Sequence, residues 1–156
     1  MVIDSPTAQR FIAAYKDFLG TLVSAQDKAG KGVTQWLALG RDRYVQDRAL
    51  LDAYRAANPK ADAQMLDAIA HSQFGQWVHL KDTRAYSVLL DMEATRAYAV
   101  LGLTQPLRTI GMTNNQAMGS GLVMQAALLP LNGRWVCDGL IQSPVWLGTN
   151  YRRSYT

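Results

Sequence analysis

The sequence predicts an α+β protein in which helices occupy the first half of the chain and strands the second. Apolar residues recur at helical spacing up to about residue 72, and from Phe74 onward they form short runs typical of strands. Elements that are grouped in this way, rather than alternating, are typical of the α+β class. We therefore predict about three helices packed on an antiparallel β-meander, or on a small open barrel, of five to six strands.

The composition is that of one folded domain. The 156 residues are 49% hydrophobic and 18% charged, and no apolar run is long enough to cross a bilayer. The first residues have neither the basic nor the apolar region of a signal peptide, and the single cysteine has no internal partner. We predict one domain, residues 1–156, with a helical half 1–74 and a β half 75–156, in the cytoplasm.

Three helices are predicted before residue 74. The first begins at Ser5-Pro6, a cap residue followed by proline at the first helical position. Its apolar stripe consists of Phe11, Ile12, Tyr15, Phe18, Leu19, Leu22 and Val23. Gly20 weakens this helix and is expected to allow a close helix crossing. The second helix is predicted over 34–57, with Gly40 as a point of division, and the third over 60–72.

Short polar turns separate the predicted strands. The strands are expected at 77–80, 85–91, 96–103, 121–131 and 134–141, with 145–151 as a sixth strand or a covering tail. Asn132-Gly133, between two apolar runs, predicts a tight hairpin. The longest irregular stretch is 104–120, and loops of that length usually carry function.

Neither a metal site nor a cofactor site is predicted. The imidazole and thiol side chains are those of His71, His79 and Cys137, and they lack the local pairing that zinc sites use. The Gly-Ser-Gly stretch at 119–121 has neither the lysine nor the following helix of a phosphate-binding loop. We expect His79 on one face of the first strand and His71 near a helix end.

Cys137 and Asp138 fall in the predicted strand after Asn132-Gly133. Cys137 is expected to be a buried hydrophobic residue, because a neighbouring carboxylate disfavours the thiolate. Strand alternation places Asp138 between Val136 and Leu140, which predicts partial burial and an arginine or backbone N–H partner. No catalytic residue is predicted, and an enzyme that uses Asp138 with a neighbouring arginine ranks third among the functions considered.

The predicted binding site lies in the 104–120 loop and the C-terminal segment. Trp, Tyr and Arg concentrate at the centres of protein interfaces, and Met and Asn adapt to a partner's surface. The predicted site residues are Arg108, Met112, Asn114, Asn115, Met118, Trp146, Tyr151, Arg152, Arg153 and Tyr155. We expect a non-enzymatic module that binds another protein, as an inhibitor, immunity-type or accessory protein of a bacterial system.

The alternative function is binding of single-stranded nucleic acid through the same aromatic and basic tail. The net charge is +4, and most of the excess lies after residue 74. The basic residues do not form the dense stripe of a duplex-binding protein. No membrane partner is expected.

Overall fold

The computed structural model describes residues 2–93, 95–104 and 122–146, and for residues 122 and 142–146 it describes the backbone alone. The chain divides into two compact units. A helical unit spans residues 6–71, and a sheet unit is formed by residues 1–5 together with residues 72–156. The prediction of an α+β protein is confirmed, while the prediction that all residues form one domain stays a prediction.

Within the described ranges the helical unit contains five helices, where about three were predicted. Their bounds are α1 Ser5–Thr21, α2 Ala25–Lys28, α3 Val33–Gln46, α4 Ala49–Ala57 and α5 Ala63–Ala70. The predicted second helix is divided at Asp47 rather than at Gly40. Asp47 leaves the helical region of backbone space, and its carboxylate accepts a hydrogen bond at 3.2 Å from the N–H of Ala49, the first residue of the next helix.

The short helix α2 was not predicted, although its capping sequence is visible. Ser24 and Asp27 form a capping box, in which each side chain accepts a hydrogen bond from the other residue's N–H. Arg43 of α3 donates to the Asp27 carboxylate at 2.9 Å and to the Leu22 carbonyl at 2.6 Å. The pKa of the Asp27 carboxyl lies well below its usual range, mainly because of the hydrogen bond from Arg43 and secondly because of the hydrogen bonds from Ser24.

Within α1 the inner face follows the predicted stripe with one exception, and the last two predicted members, Leu22 and Val23, lie after the end of the helix. Phe11 and Phe18 are fully buried. The Phe18 ring lies edge-on to the rings of Tyr44 and Tyr54, with a centroid separation of 5.2 Å in each pair. Ile12 is exposed, so its inclusion in the stripe was wrong. It lies about 100° around the helix from Phe11 and about 20° beyond Leu19, at the edge of the buried face.

The close helix crossing occurs at Gly40 of α3, not at Gly20. A Cβ atom on Gly40 would lie 2.7 Å from the Leu19 carbonyl oxygen of α1, well inside van der Waals contact. A Cβ atom on Gly20 would meet the Trp36 ring at an ordinary 3.5 Å. Gly40 is therefore the residue that lets α1 and α3 approach backbone to backbone.

Six strands form one mixed sheet in the order β1-β2-β3-β5-β4-β6. Their bounds are β1 Gln73–Asp82, β2 Ser87–Asp91, β3 Ala97–Leu101, β4 Leu122–Leu131, β5 Arg134–Cys137 and β6 Gln142–Trp146. Of the two predicted forms, the simple antiparallel meander is wrong, while the small open barrel stays a prediction. β4 pairs with β1 instead of β3, and β3 pairs in parallel with β5.

The predicted hairpin at Asn132-Gly133 is confirmed. Both residues have positive φ, 52° and 75°, which suits the right-handed twist of the strands that they join. In the β4–β5 ladder Leu131 lies opposite Arg134 and Pro130 opposite Trp135. Asparagine and glycine tolerate this backbone better than other residues, so the turn fixes the register of β4 and β5.

One face of the sheet carries an aromatic core. The side chains of Trp77, Leu89, Tyr98, Val100, Met124, Ala126, Leu128 and Cys137 form it, with Trp135 and Ile141 packed against it. The Tyr98 ring lies edge-on to the indoles of Trp77 and Trp135, with ring centroids 5.1 Å and 5.2 Å apart. The predicted burial of Cys137 is confirmed, and Trp135 and Ile141 face the same core. Val136 and Leu140, on the opposite face, are buried as well.

Candidate functional site

An open hollow of about 740 Å³ lies in the helical unit, beside α1, α4 and the connection from α4 to α5. This volume is in the range of about 300–1,000 Å³ that ligand pockets occupy. Its lining comprises Arg10, Ala13, Ala14, Asp17, Tyr54, Ala57, Asn58, Pro59, Lys60, Ala61, Asp62 and Leu66. The lining therefore combines small apolar side chains with charged ones.

The α1 wall arises from helical spacing. Arg10, Ala13, Ala14 and Asp17 stand at positions i, i+3, i+4 and i+7, so they share one face of the helix. This face differs from the one that carries the buried Phe11 and its neighbours. Alanine at the two middle positions leaves space between the charged side chains at the ends.

The α4 wall ends at a helix terminus. Asn58 caps the helix, since its N–H and its side-chain amide both donate to the Tyr54 carbonyl, at 2.9 Å and 3.0 Å. Pro59 follows and cannot continue the helix. The turn that it starts carries Lys60 to the rim, where its side chain is exposed.

A bidentate ion pair joins α1 to the start of α5. Arg10 donates from Nε and Nη2 to the two carboxylate oxygens of Asp62, each at 3.0 Å, and from Nη2 to Gln64 Oε1 at 3.2 Å. Asp62 also caps α5 by accepting from the Met65 N–H. The guanidinium of Arg10 holds the pKa of the Asp62 carboxyl below its usual range, because it stabilises the charged form.

Three polar groups of the hollow have no hydrogen-bond partner among the described residues. Within the described ranges, neither the Asp17 carboxylate nor the Lys60 ammonium makes a hydrogen bond or an ion pair, and the Tyr54 hydroxyl donates to no acceptor. Burial, and secondly the nearby Asp17 charge, raise the pKa of Tyr54, so the phenol stays protonated and able to donate. The hollow thus offers one carboxylate, one ammonium and one hydroxyl beside apolar side chains.

Nine of the ten predicted site residues lie outside the described residues. They are Arg108, Met112, Asn114, Asn115, Met118, Tyr151, Arg152, Arg153 and Tyr155. The tenth, Trp146, ends β6, where its backbone pairs with Leu122 of β4. Their role in binding stays a prediction.

Asp138 has the backbone partners that its predicted burial requires. Its Oδ1 accepts hydrogen bonds from the Leu140 N–H at 3.1 Å and from the Ala127 N–H at 3.4 Å, while its own N–H donates to the Ala127 carbonyl at 3.0 Å. Gly139, with a φ of 79°, makes the sharp turn that brings the Leu140 N–H back to this carboxylate. These hydrogen bonds stabilise the bend that follows β5.

A serine, a histidine and an aspartate meet in the β1–β2 hairpin. The Asp82 Oδ1 atom accepts from Ser87 Oγ at 2.6 Å and lies 2.9 Å from His79 Nε2. A hydrolase triad needs the histidine between serine and aspartate, whereas here the aspartate lies between the other two. Ser87 and His79 are buried, so the cluster closes the hairpin from inside.

The remaining predictions concern metals and membranes. His71 ends α5, as expected, and its Nδ1 lies 2.8 Å from the Asp67 carbonyl. Cys137 is fully buried. Among the described residues, no three histidine, cysteine or acidic side chains are grouped closely enough to bind a metal ion. None of the helices in that part of the chain has the length and apolar character needed to span a bilayer.

The hollow was not predicted from the sequence, although the sequence contains part of the pattern that forms it. The face 10–13–14–17 carries two charges around two alanines, opposite the apolar stripe. That pattern is also typical of a solvated helix face. Only the approach of the α4–α5 connection turns it into a concave site.

The fold and the site define an α+β protein with a polar hollow in its helical unit. Comparison with known proteins adds no relative: no family model matches the chain, and neither a curated protein nor a solved structure matches it.

Proposed function

We propose that this chain is a non-enzymatic module that binds another protein, in the manner of an inhibitor, an immunity-type protein or an accessory subunit. The observation that supports this most directly is the hollow of the helical unit. Its alanine, proline and leucine side chains suit apolar contact, and the side chains of Asp17, Tyr54 and Lys60 supply polar recognition.

The shape of the hollow favours a macromolecular partner over an enclosed small ligand. Most of its lining residues are exposed, among them Arg10, Ala13, Asp17, Ala57 and Lys60. A partner's side chains are able to enter from solvent while its backbone stays outside. The predicted binding residues of the 104–120 loop and the C-terminal segment belong to the same proposal as a second contact region.

A retention experiment tests this function. The immobilised full chain would be incubated with lysate of its source organism, and retained proteins would be identified by mass spectrometry. We expect the wild type to retain a specific partner and the double variant Asp17→Asn/Lys60→Gln to lose it, because the free charges of the hollow are removed.

The matched control is Asp52→Asn/Lys16→Gln, which makes the same chemical changes at exposed positions of α4 and α1 outside the hollow. It should retain the partner. A partner that survives the hollow variant but is lost in Trp146→Ala/Arg152→Ala would move the site to the C-terminal segment. Absence of any partner specific to the wild type would contradict the proposal.

The second candidate function is binding of single-stranded nucleic acid, and the strand pairings favour it. Since β1 pairs with both β2 and β4, and β3 pairs with β5, we infer that the first five strands close into a small barrel. Small five-stranded barrels recur as binders of oligonucleotides. Arg84, Arg96 and Arg134 are exposed in its turns or beside them.

We rank this function second because the outer face of β3 lacks aromatic side chains. Its exposed positions are Ala97 and Ala99, which give no ring on which a base stacks. Aromatic contacts would have to come from the predicted tail residues. Titration of a labelled oligonucleotide at low and high salt distinguishes the two functions, since phosphate contacts give strong binding at low salt that weakens as salt rises.

A further inference from the structure

The geometry points to the chemistry of the partner: the hollow binds a peptide segment that presents one basic and one acidic side chain. This inference deepens the proposed function and depends on it. The basic side chain sits beside Asp17 and Tyr54, and the acidic one meets Lys60.

The first step is the charge balance of the hollow. Four charged side chains line it, namely Arg10, Asp17, Lys60 and Asp62. Arg10 and Asp62 neutralise each other through two hydrogen bonds of 3.0 Å and are held in place by Gln64 and by the start of α5. Among the described residues this leaves the Asp17 carboxylate and the Lys60 ammonium without an ion-pair partner, so a ligand that carries both charges is matched better than one that carries either alone.

The second step concerns the place of the cation. Asp17 lies close enough to Tyr54 for its charge to act on the phenol. The Tyr54 ring is fixed edge-on against the buried Phe18 ring at 5.2 Å. A guanidinium or ammonium group there would pair with the carboxylate and lie near an aromatic ring, two interactions that favour arginine or lysine.

The third step concerns the stem that carries the cation. Arginine and lysine bury their methylene groups along apolar surface while the charged head stays solvated. Ala13, Ala14, Ala57 and Ala61 provide such a surface, since none of them fills the space with a long side chain. Lys60, on the turn after Pro59, stands at the rim and is exposed to meet a carboxylate of the same segment.

The test uses the full chain, labelled with ¹⁵N, and short capped alanine-based peptides. One peptide carries arginine and glutamate, and in two others either residue is replaced by glutamine. Amide shifts of Ala13, Asp17 and Ala61 report binding. We expect the doubly charged peptide to bind about fivefold more tightly than either singly charged one, as an exposed ion pair allows.

Variants assign each charge to its side chain. Asp17→Asn should weaken the peptides that contain arginine about fivefold and leave the glutamate-only peptide unchanged, and Lys60→Gln should do the reverse. The single control variants Asp52→Asn and Lys16→Gln should match the wild type. Equal affinity for all three peptides, no binding, or an unchanged affinity of Asp17→Asn and Lys60→Gln would overturn the inference.

Two further outcomes are informative. If free arginine or free glutamate binds as tightly as the peptides, the hollow is a small-molecule site and the inference is wrong. If the retention experiment yields a partner that depends on the hollow while these peptides fail, the proposed function stands and only the inferred partner chemistry is wrong.

Discussion

At the scale of single residues, polar side chains that resemble catalytic groups serve the fold. Asp82 joins Ser87 and His79 inside a hairpin, and Asp138 holds backbone N–H groups at a bend. A buried N–H without an acceptor is costly, so a carboxylate near the end of a strand is a common solution. Sequence alternation predicted the burial of Asp138, and its N–H partners are visible only in the structure.

Replacement of Asp138 tests this structural role. We expect Asp138→Ala to lower the free energy of unfolding by about 1–3 kcal/mol, because the buried N–H groups of Ala127 and Leu140 lose their acceptor. Urea unfolding followed by circular dichroism measures it. Asp138→Asn keeps a carbonyl oxygen at the same place and should cost clearly less. Equal stability of Asp138→Ala and the wild type would contradict the assigned role.

At the scale of elements, helix and strand existence follow local patterns, while their exact ends follow contacts. The α1 stripe and the Asn132-Gly133 turn were predicted because both depend on neighbours in the sequence. The division of the second helix at Asp47 was placed at Gly40 instead. Glycine usually weakens a helix, but here the missing Cβ is required by Leu19, which lies on another helix.

Alanine substitutions at Gly40 and Gly20 distinguish the effect of helix propensity from the effect of helix packing. Gly40→Ala should lower the free energy of unfolding by about 1–3 kcal/mol, since the added methyl would overlap the Leu19 carbonyl oxygen and force α1 and α3 apart. Gly20→Ala, the matched control, should be neutral or stabilising by up to about 1 kcal/mol. Thermal and urea unfolding of both variants checks this, and the reverse order of stability would contradict it.

At the scale of the whole molecule, the order of strands was the main difference from prediction. A meander was expected because consecutive strands with short turns usually lie side by side. The chain between β3 and β4 is long, so no short turn forces those strands together. The resulting pairings of β1 with β4 and of β3 with β5 join strands that are far apart in sequence.

Hydrogen exchange at β3 tests whether the strands close into a barrel. Consecutive amides of a strand point to opposite neighbours, so of Val100 and Leu101 one faces β2 and the other faces β5. With both pairings formed, both amides should exchange slowly in an NMR-detected experiment. Leu89 and Leu90 of β2, which lies between β1 and β3, provide the slow reference. Fast exchange of only one of the two β3 amides would show an open sheet.

The sequence by itself determined the class of fold, the change from helices to strands near residue 74, the hairpin at Asn132-Gly133 and the burial of Cys137. Each depends on periodicity or turn chemistry over a few residues, which any folded state must satisfy. Only the tertiary structure decided the strand order and the hollow at Asp17, Tyr54 and Lys60. Both require segments that are distant in sequence to meet, and the free energy of such contacts is set by packing rather than by local pattern.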